Sequence, residues 1–259
     1  MWRDVRHNSP LFLQHKVDSL GEAQTPYIVK IFDPRFMRNA RRCPWRHIAE
    51  AKAARIHGGQ LQFDPRERPD GPDVDYEESP QKCELAHFRV AAWMHHNECL
   101  AYKHLARLQG STVPIFYGSG TLDLSGTKPP RAVNPFVIFL EYIHDAIPLA
   151  TIDPLRLTEP LMRSFINSGD CLSSEGVIDA GASWADILLV PAHNPTRVVV
   201  IDFANSWTRD AAADGGDWEG GKREWPMEQP RKAMLSVKFK TAAFHNSLPV
   251  PDVVELPVY

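Results

Sequence analysis

Cysteines are few in this sequence, and long apolar runs are absent. The four cysteines among the 259 residues are widely separated and form no CxxC pair: Cys43, Cys83, Cys99 and Cys171. A disulfide framework or a zinc site of ordinary ligand spacing is therefore not expected. The longest apolar runs, such as residues 136–140, are far shorter than the ~20 residues that a membrane-spanning helix needs.

Neither sign of charge dominates the chain. Its 29 Lys and Arg nearly balance its 32 Asp and Glu, for a net charge of −3 at pH 7. Nucleic-acid partners favour a basic field and membrane surfaces favour a polybasic block, so neither partner is expected. Residues 1–16, MWRDVRHNSPLFLQHK, are charged and lack the apolar core of a secretory signal. We expect an intracellular protein, cytoplasmic or nuclear, that is not secreted.

The pattern of apolar residues predicts strands early and late in the chain and one long helix between them. The predicted strands are 27–32, 113–118, 136–143, 176–178, 186–190 and 197–203, and the predicted helices are 44–56, 86–108 and 157–169. Pro, Gly and acidic residues predict loops at 64–82 and 209–232, and the pattern at 235–244 fits a helix or a strand. This order indicates a two-lobed α+β protein, although periodicity alone also fits other α+β folds.

Five segments in chain order suggest a function: YIVKIF with Lys30, NECLAYKHLARLQG with Glu98, VPIFYGSGTL, FVIFLEYI, and GVIDAGASWADILLV followed by RVVVIDFA. In this order and spacing the chain resembles the protein-kinase-like superfamily, in particular the divergent kinase-like proteins common in filamentous fungi. The resemblance covers roughly residues 27–205. It implies one kinase-like domain, with an N-lobe-like region at 1–143 that carries an insertion at about 37–85. A reduced, mostly helical C-lobe-like region would follow at 144–259.

Lys30 and Glu98 are the candidate ion pair of a nucleotide site. The apolar neighbours of Lys30 predict a buried stem whose ammonium needs a partner. The resemblance implies that Lys30 contacts the nucleotide phosphates and that Glu98 is its partner. The alternatives are a lysine that reaches water from an edge strand and a solvated helix glutamate. The resemblance also implies that the backbone of Glu141, Tyr142 and Ile143 faces the adenine; the alternative is a buried strand that binds nothing.

Two aspartates are candidate ligands for Mg²⁺. Asp202 ends the apolar segment VVVIDFA, where the resemblance places the aspartate of the D-F-G motif, with Ala204 in place of the usual glycine. Asp186 stands at the position of the catalytic-loop asparagine, and its carboxylate also suits Mg²⁺. An aspartate that caps a turn is the alternative for Asp202. The expected cofactors are ATP and Mg²⁺, bound weakly.

The catalytic loop departs from the family pattern. In GVIDAGASWADILLV, Asp179 stands at the histidine position and Gly181 at the position of the catalytic aspartate. Glycine can neither orient nor deprotonate a hydroxyl, and loss of a positioned base typically costs about 10²–10⁴-fold in rate. The alternatives are a local shift that brings Asp179 into this role and an ordinary turn between two strands. No GxGxxG precedes Lys30, which lowers the expected nucleotide affinity.

Three functional hypotheses follow. The first is a pseudokinase, a binding or scaffold module with weak nucleotide and Mg²⁺ binding and a protein partner. The second is an active phosphotransferase on a protein or a small molecule, with a displaced catalytic base. The third is a truncated kinase-like protein without nucleotide function, because residues 203–259 offer too little chain for a full C-lobe. Gly181 favours the first hypothesis over the second.

Overall fold

The computed structural model describes eight stretches of the chain, residues 11–15, 26–36, 44–56, 79–124, 126–128, 131–153, 156–179 and 183–209. The α-helices within them are α1 (His47–Ile56), α2 (Pro80–His104) and α3 (Glu159–Ser174). The strands are β1 (Leu11–His15), β2 (Tyr27–Phe32), β3 (Phe116–Thr121), β4 (Phe136–Glu141), β5 (Ile147–Pro148), β6 (Val177–Asp179), β7 (Ile187–Val190), β8 (Arg197–Val200) and β9 (Ser206–Thr208).

The first four strands form a four-stranded antiparallel sheet, in the order β1-β2-β4-β3. β2 and β4 are rich in β-branched and aromatic residues, which favour extended backbone. The two strands pair along their whole length, from Tyr27 opposite Glu141 to Phe32 opposite Phe136. Because β1 lies on the other side of β2, β2 is an interior strand. A lysine on β2 therefore does not lie on a sheet edge.

α2 packs against this sheet and also against α1. Its buried residues are spread over the length of the helix and include Phe88, Ala91 and Tyr102. Small side chains on α1, among them Ala53 and Ala54, are buried against the first half of α2. α2 is thus covered on two sides, which holds its orientation relative to β2.

The remaining strands form a three-stranded sheet, β5-β7-β8, and a short antiparallel ladder of β6 and β9. α3 begins after Thr158, whose side chain accepts a hydrogen bond from the Leu161 N–H. The apolar face of α3 packs against β8 and β6. One hydrophobic core connects this half with the first sheet, and its members include Phe32, Tyr102, Ile138, Leu161, Phe165, Leu189, Val198 and Phe203.

The predicted α+β class is confirmed by this combination of helices and antiparallel sheets. In the parts of the chain that the structure describes, no helix has both the length and the apolar character to cross a membrane. Strand 27–32 has its predicted bounds. The predicted loop residues 64–78 and 210–232, and the ambiguous segment 235–244, lie outside the described residues.

All three predicted helices have wrong bounds. The helix predicted at 86–108 begins at Pro80, whose missing N–H costs nothing in a first turn, and ends at His104, before a short 3₁₀ turn. Residues 80–82 therefore belong to α2 and not to a loop. The helix predicted at 157–169 continues to Ser174, because Gly169 is buried inside it and Leu172 extends its apolar face. The helix predicted at 44–56 begins later, at His47.

The predicted strands are also displaced at their ends. The strand predicted at 113–118 begins at Phe116, because Pro114 offers no N–H for a ladder. The strand predicted at 136–143 stops at Glu141, and the one predicted at 197–203 stops at Val200. The predicted strands 176–178 and 186–190 each begin one residue later, and the first of them also ends one residue later.

Candidate functional site

The side chain of Lys30 is completely buried and lies between two carboxylates. Its Nζ is 2.5 Å from Glu98 Oε2 and 2.7 Å from Asp202 Oδ1. Glu98 is also fully buried, whereas the side chain of Asp202 is 14% exposed. Three residues from distant parts of the sequence therefore form one charged cluster, open to solvent only at the Asp202 side.

Three elements bring these side chains together. Lys30 lies on the interior strand β2, opposite Ile138 of β4. Glu98 lies in the second half of α2, which packs on the same sheet. Asp202 follows β8, whose end is tied to the turn after α2 by a hydrogen bond of 2.8 Å from the Val200 N–H to the Thr112 carbonyl. The aromatic ring of Phe32 lies beside the ammonium, with its centroid 5.3 Å from Lys30 Nζ.

The buried charges change each other's protonation. Burial alone would lower the pKa of Lys30, but attraction by Asp202 and Glu98 outweighs it and holds the pKa above its ordinary value. Lys30 is therefore charged at neutral pH. Burial, together with repulsion by Asp202, raises the pKa of Glu98 to about 7, although Lys30 opposes this rise. One ammonium is thus shared between two carboxylates.

A second aspartate adds to the negative charge. The β7–β8 hairpin places Asp186 and Asp202 at the same end, where the Ile201 N–H donates to the Asp186 carbonyl at 2.9 Å. Asp186 Oδ2 accepts hydrogen bonds from the Ser183 N–H and hydroxyl, at 2.9 and 2.6 Å. Burial and repulsion by Asp202 raise the pKa of Asp186. Three carboxylates in this region therefore share the single positive charge of Lys30.

This donor set fits a magnesium ion. Mg²⁺ in phosphate-transfer proteins is typically held by one or two carboxylates together with phosphate oxygens and water. Asp186 and Asp202 supply two such carboxylates, and the surplus of carboxylates over ammonium groups in this region favours a divalent cation. In the described part of the chain, no group of three or more His, Cys, Asp or Glu side chains could hold a metal. A cation held by these two aspartates would have to take its other ligands from a bound phosphate or from water.

The backbone at Asp202 has an unusual conformation. Its φ of 66° is in the left-handed region, which aspartate adopts more readily than most residues. The next residue, Phe203, is buried in the core with its ring edge-on to Tyr102 at 5.3 Å. The Ala204 N–H lies 3.4 Å from Asp202 Oδ1. The buried Phe203 ring anchors this turn and leaves the carboxylate of Asp202 directed at Lys30.

The segment from Glu141 to Ile143 connects the two sheets. The Glu141 N–H donates to the Ile115 carbonyl at 2.8 Å, and the Glu141 carboxylate accepts from the Ile115 N–H at 3.0 Å. Tyr142 packs edge-on to His144, with ring centroids 4.7 Å apart. Glu141 pairs with the first residue of β2, three residues or about 10 Å along the strand from Lys30. Whether this backbone faces an adenine stays a prediction.

Of the predicted catalytic loop, the structure describes only the two ends. Asp179 is the last residue of β6 and pairs with Ser206 of β9. Gly181 lies outside the described residues. Its place at the position of the catalytic aspartate is known only from the sequence resemblance.

Two features of this region were not anticipated from the sequence. Ser183 and Asp186 form a capping box around a short 3₁₀ turn, and the S-x-x-D spacing is a signal that could have predicted it. A buried ion cluster of Asp33, Glu50 and Arg131 lies beyond the end of β2. No local pattern connects these three residues, because 81 positions separate Glu50 from Arg131.

Comparison with models of known protein families finds no match, and comparison with curated proteins also finds none. Among solved structures, the chain is similar to WbdD, seen in a co-crystal structure with the kinase inhibitor LY294002. The sequences are 18% identical, the TM-score is 0.33, and the match covers 55% of this chain. The matched region spans 28% of the WbdD chain. A likeness of this degree carries no argument about the function of this chain.

Proposed function

We propose that this chain is a divergent protein-kinase-like domain that binds ATP and Mg²⁺ weakly and does not transfer phosphate. It would act as a binding or scaffold module for a protein partner. The observation that carries the proposal is the buried cluster in which Lys30 lies between Glu98 and Asp202, at 2.5 and 2.7 Å. The sequence resemblance independently assigns these three residues to one nucleotide site.

The charges of the cluster support a nucleotide with its cation. Lys30 is charged at neutral pH and is oriented by two acceptors, so it can contact phosphate oxygens without a further change of protonation. Asp186 and Asp202 would hold Mg²⁺, which supplies positive charge that neutralises the phosphates. The surplus of carboxylates over ammonium groups gives such a cation a physical reason to bind. The half-exposed segment 141–143 begins about 10 Å along the strand direction from Lys30, and the adenine of a bound nucleotide would lie beside it.

Loss of activity is proposed from the sequence of the catalytic loop. Gly181 stands at the position of the base, and glycine offers no group that can accept a proton. Asp186 remains available as a cation ligand, so binding and catalysis can be separated in this chain. We expect the nucleotide affinity to be weak, because residues 1–29 contain no GxGxxG pattern.

The test is the change in melting temperature on addition of millimolar ATP with Mg²⁺. We expect wild type to gain about 3–6 °C, since a ligand at about ten times its Kd stabilises by about 1.4 kcal/mol. Lys30→Ala and Asp202→Asn should lose this gain, whereas the exposed-site controls Lys82→Ala and Asp170→Asn should keep it. Each variant is compared with itself without ligand, so a change of intrinsic stability does not enter. No gain in wild type would refute nucleotide binding.

Catalytic loss is tested separately by ATP turnover. Wild type should show no turnover above the background without protein. Gly181→Asp restores a carboxylate at the base position and should raise turnover if only the base is missing. Robust turnover by wild type would refute the inactive assignment and favour a phosphotransferase with a displaced base.

A further inference from the structure

α1 lies in the predicted insertion and packs on the helix that carries Glu98. Its buried Ala53 and Ala54 contact the cluster that contains Phe88 and Ala92 of α2. Alanine side chains are small, so the two helix backbones come close together along this face. Phe88 precedes Glu98 by ten residues, which is about 15 Å along one continuous helix. A shift of α2 at its contact with α1 is therefore transmitted to Glu98.

A buried carboxylate on the same face of α1 ties this helix to the sheet. Glu50 Oε1 and Oε2 accept hydrogen bonds from Arg131 Nε at 3.0 and 3.1 Å. The Ala132 N–H also donates to Glu50 Oε1 at 3.0 Å, and Trp45 Nε1 donates to Oε2 at 2.8 Å. The guanidinium of Arg131 lies 5.4 Å from the centre of the Trp45 ring. Both carboxylate oxygens of Glu50 therefore accept hydrogen bonds from groups outside α1, and one of these groups, Trp45, lies just before the helix.

The same arginine reaches the end of the strand that holds Lys30. Arg131 Nη1 is 3.1 Å from Asp33 Oδ2, and Asp33 directly follows β2. Asp33 also accepts hydrogen bonds from Arg35, at 2.6 Å for the shortest. The start of α1 is joined to α2 as well, because the Arg46 N–H donates to Glu84 Oε1 at 3.0 Å. The buried ion cluster thus joins α1 to the end of β2, and α1 in turn contacts α2 through Arg46 and its alanine face.

We propose that this cluster is a clamp that holds α2 in the position in which Glu98 meets Lys30. We call it the α1 clamp and define it by Trp45, Glu50, Arg131 and Asp33. Buried ion pairs are costly to break, so the clamp fixes α1 to the end of β2, and α1 opposes a shift of α2, on which it packs. Glu98 is therefore brought to Lys30 by the chain itself, without a ligand or a partner protein. Any consequence of the clamp for nucleotide binding rests on the proposed function. The effect of the clamp on the Lys30–Glu98 ion pair does not.

Amide hydrogen exchange in the absence of ligand tests the clamp. The double variant Glu50→Gln/Arg131→Met removes both charges of the Glu50–Arg131 pair together, and Asp33 keeps its ion pair with Arg35. We expect exchange at residues 96–104 to rise about tenfold or more, while exchange in α3 stays within about twofold of wild type. The matched control, Glu159→Gln/Arg163→Met, removes an exposed ion pair at i,i+4 and should leave 96–104 unchanged.

Equal acceleration in α2 and α3 would show general destabilisation and overturn the clamp, and so would unchanged exchange at 96–104. If the double variant does not fold, Trp45→Phe decides, because it removes only one hydrogen bond to Glu50. It should raise exchange at 96–104 by about threefold, and no rise would overturn the proposal. The ATP-induced melting shift of wild type separates the two proposals. If exchange at 96–104 rises in the double variant but ATP does not shift the melting temperature of wild type, the clamp is supported and nucleotide binding is refuted. If ATP shifts the melting temperature but exchange at 96–104 does not rise, only the clamp is refuted.

Discussion

Replacement of Lys30 by methionine is the most informative single perturbation of the site. Methionine has a similar length and no charge, so the substitution removes the ammonium from Glu98 and Asp202 with little change of volume. Both Lys30 and Glu98 are fully buried, so water cannot replace the lost partner. Removing one member of a buried ion pair costs about 3–5 kcal/mol when the other member stays charged.

The cost should depend on pH, because Glu98 can instead take up a proton. Its pKa in the wild-type protein is about 7 and should rise further without Lys30, whereas in the unfolded chain it is near 4.5. Above about pH 7, wild-type Glu98 is ionised in both states, and its contribution no longer changes with pH. In the variant the folded state keeps a proton that the unfolded state has lost, so stability falls by about 1.4 kcal/mol per pH unit.

Urea unfolding at intervals between about pH 6 and pH 8.5 measures this dependence. We expect the difference in unfolding free energy between wild type and Lys30→Met to be level below about pH 7 and to grow above it. Lys82→Met, at an exposed position on α2, should stay within about 0.5 kcal/mol of wild type throughout. Adding Glu98→Gln to Lys30→Met should abolish the slope. A difference that does not change with pH would refute the coupling of Glu98 to Lys30.

Two further variants probe other parts of the structure. Thr158→Ala removes the side-chain acceptor of the Leu161 N–H at the start of α3 and should cost about 1 kcal/mol, or about 2–4 °C in thermal unfolding. An unchanged melting temperature would show that this cap does not contribute. Ser183→Ala removes a hydrogen bond that lowers the pKa of Asp186, so that pKa should rise further. The shift in melting temperature that ATP and Mg²⁺ produce should then be smaller in Ser183→Ala than in wild type, and the difference should grow at acidic pH. The control Ser174→Ala should match wild type at every pH.

Much of the local structure follows from short-range patterns. The β-branched and aromatic run YIVKIF forms β2 with its predicted bounds, and threonine, a favourable N-cap residue, caps α3 at Thr158. The ends of elements were predicted less well. The helix was predicted to end at Gly169, yet this residue is buried within α3. Packing against β8 and β6 stabilises a continuous apolar face, so the helix continues. Helix propensity depends on local sequence and does not include such tertiary contacts.

The sequence also placed Lys30, Glu98, Asp186 and Asp202 in one family pattern, but the ion pairs depend on distances that no local pattern contains. The 2.7 Å approach of Lys30 to Asp202 joins positions separated by 172 residues. The α1 clamp is a stronger case, because Asp33, Glu50 and Arg131 belong to no recognised motif.

By itself, the sequence determined the α+β class, the strand that carries Lys30 and the glycine at the position of the catalytic base. These depend on neighbouring residues, or on the chemistry that one side chain can or cannot perform. Only the tertiary structure decided that Lys30 is shared between two carboxylates and that α1 is tied to both β2 and α2. Burial removes water from those charges, and the partner that then satisfies each of them is chosen by the packing of distant elements.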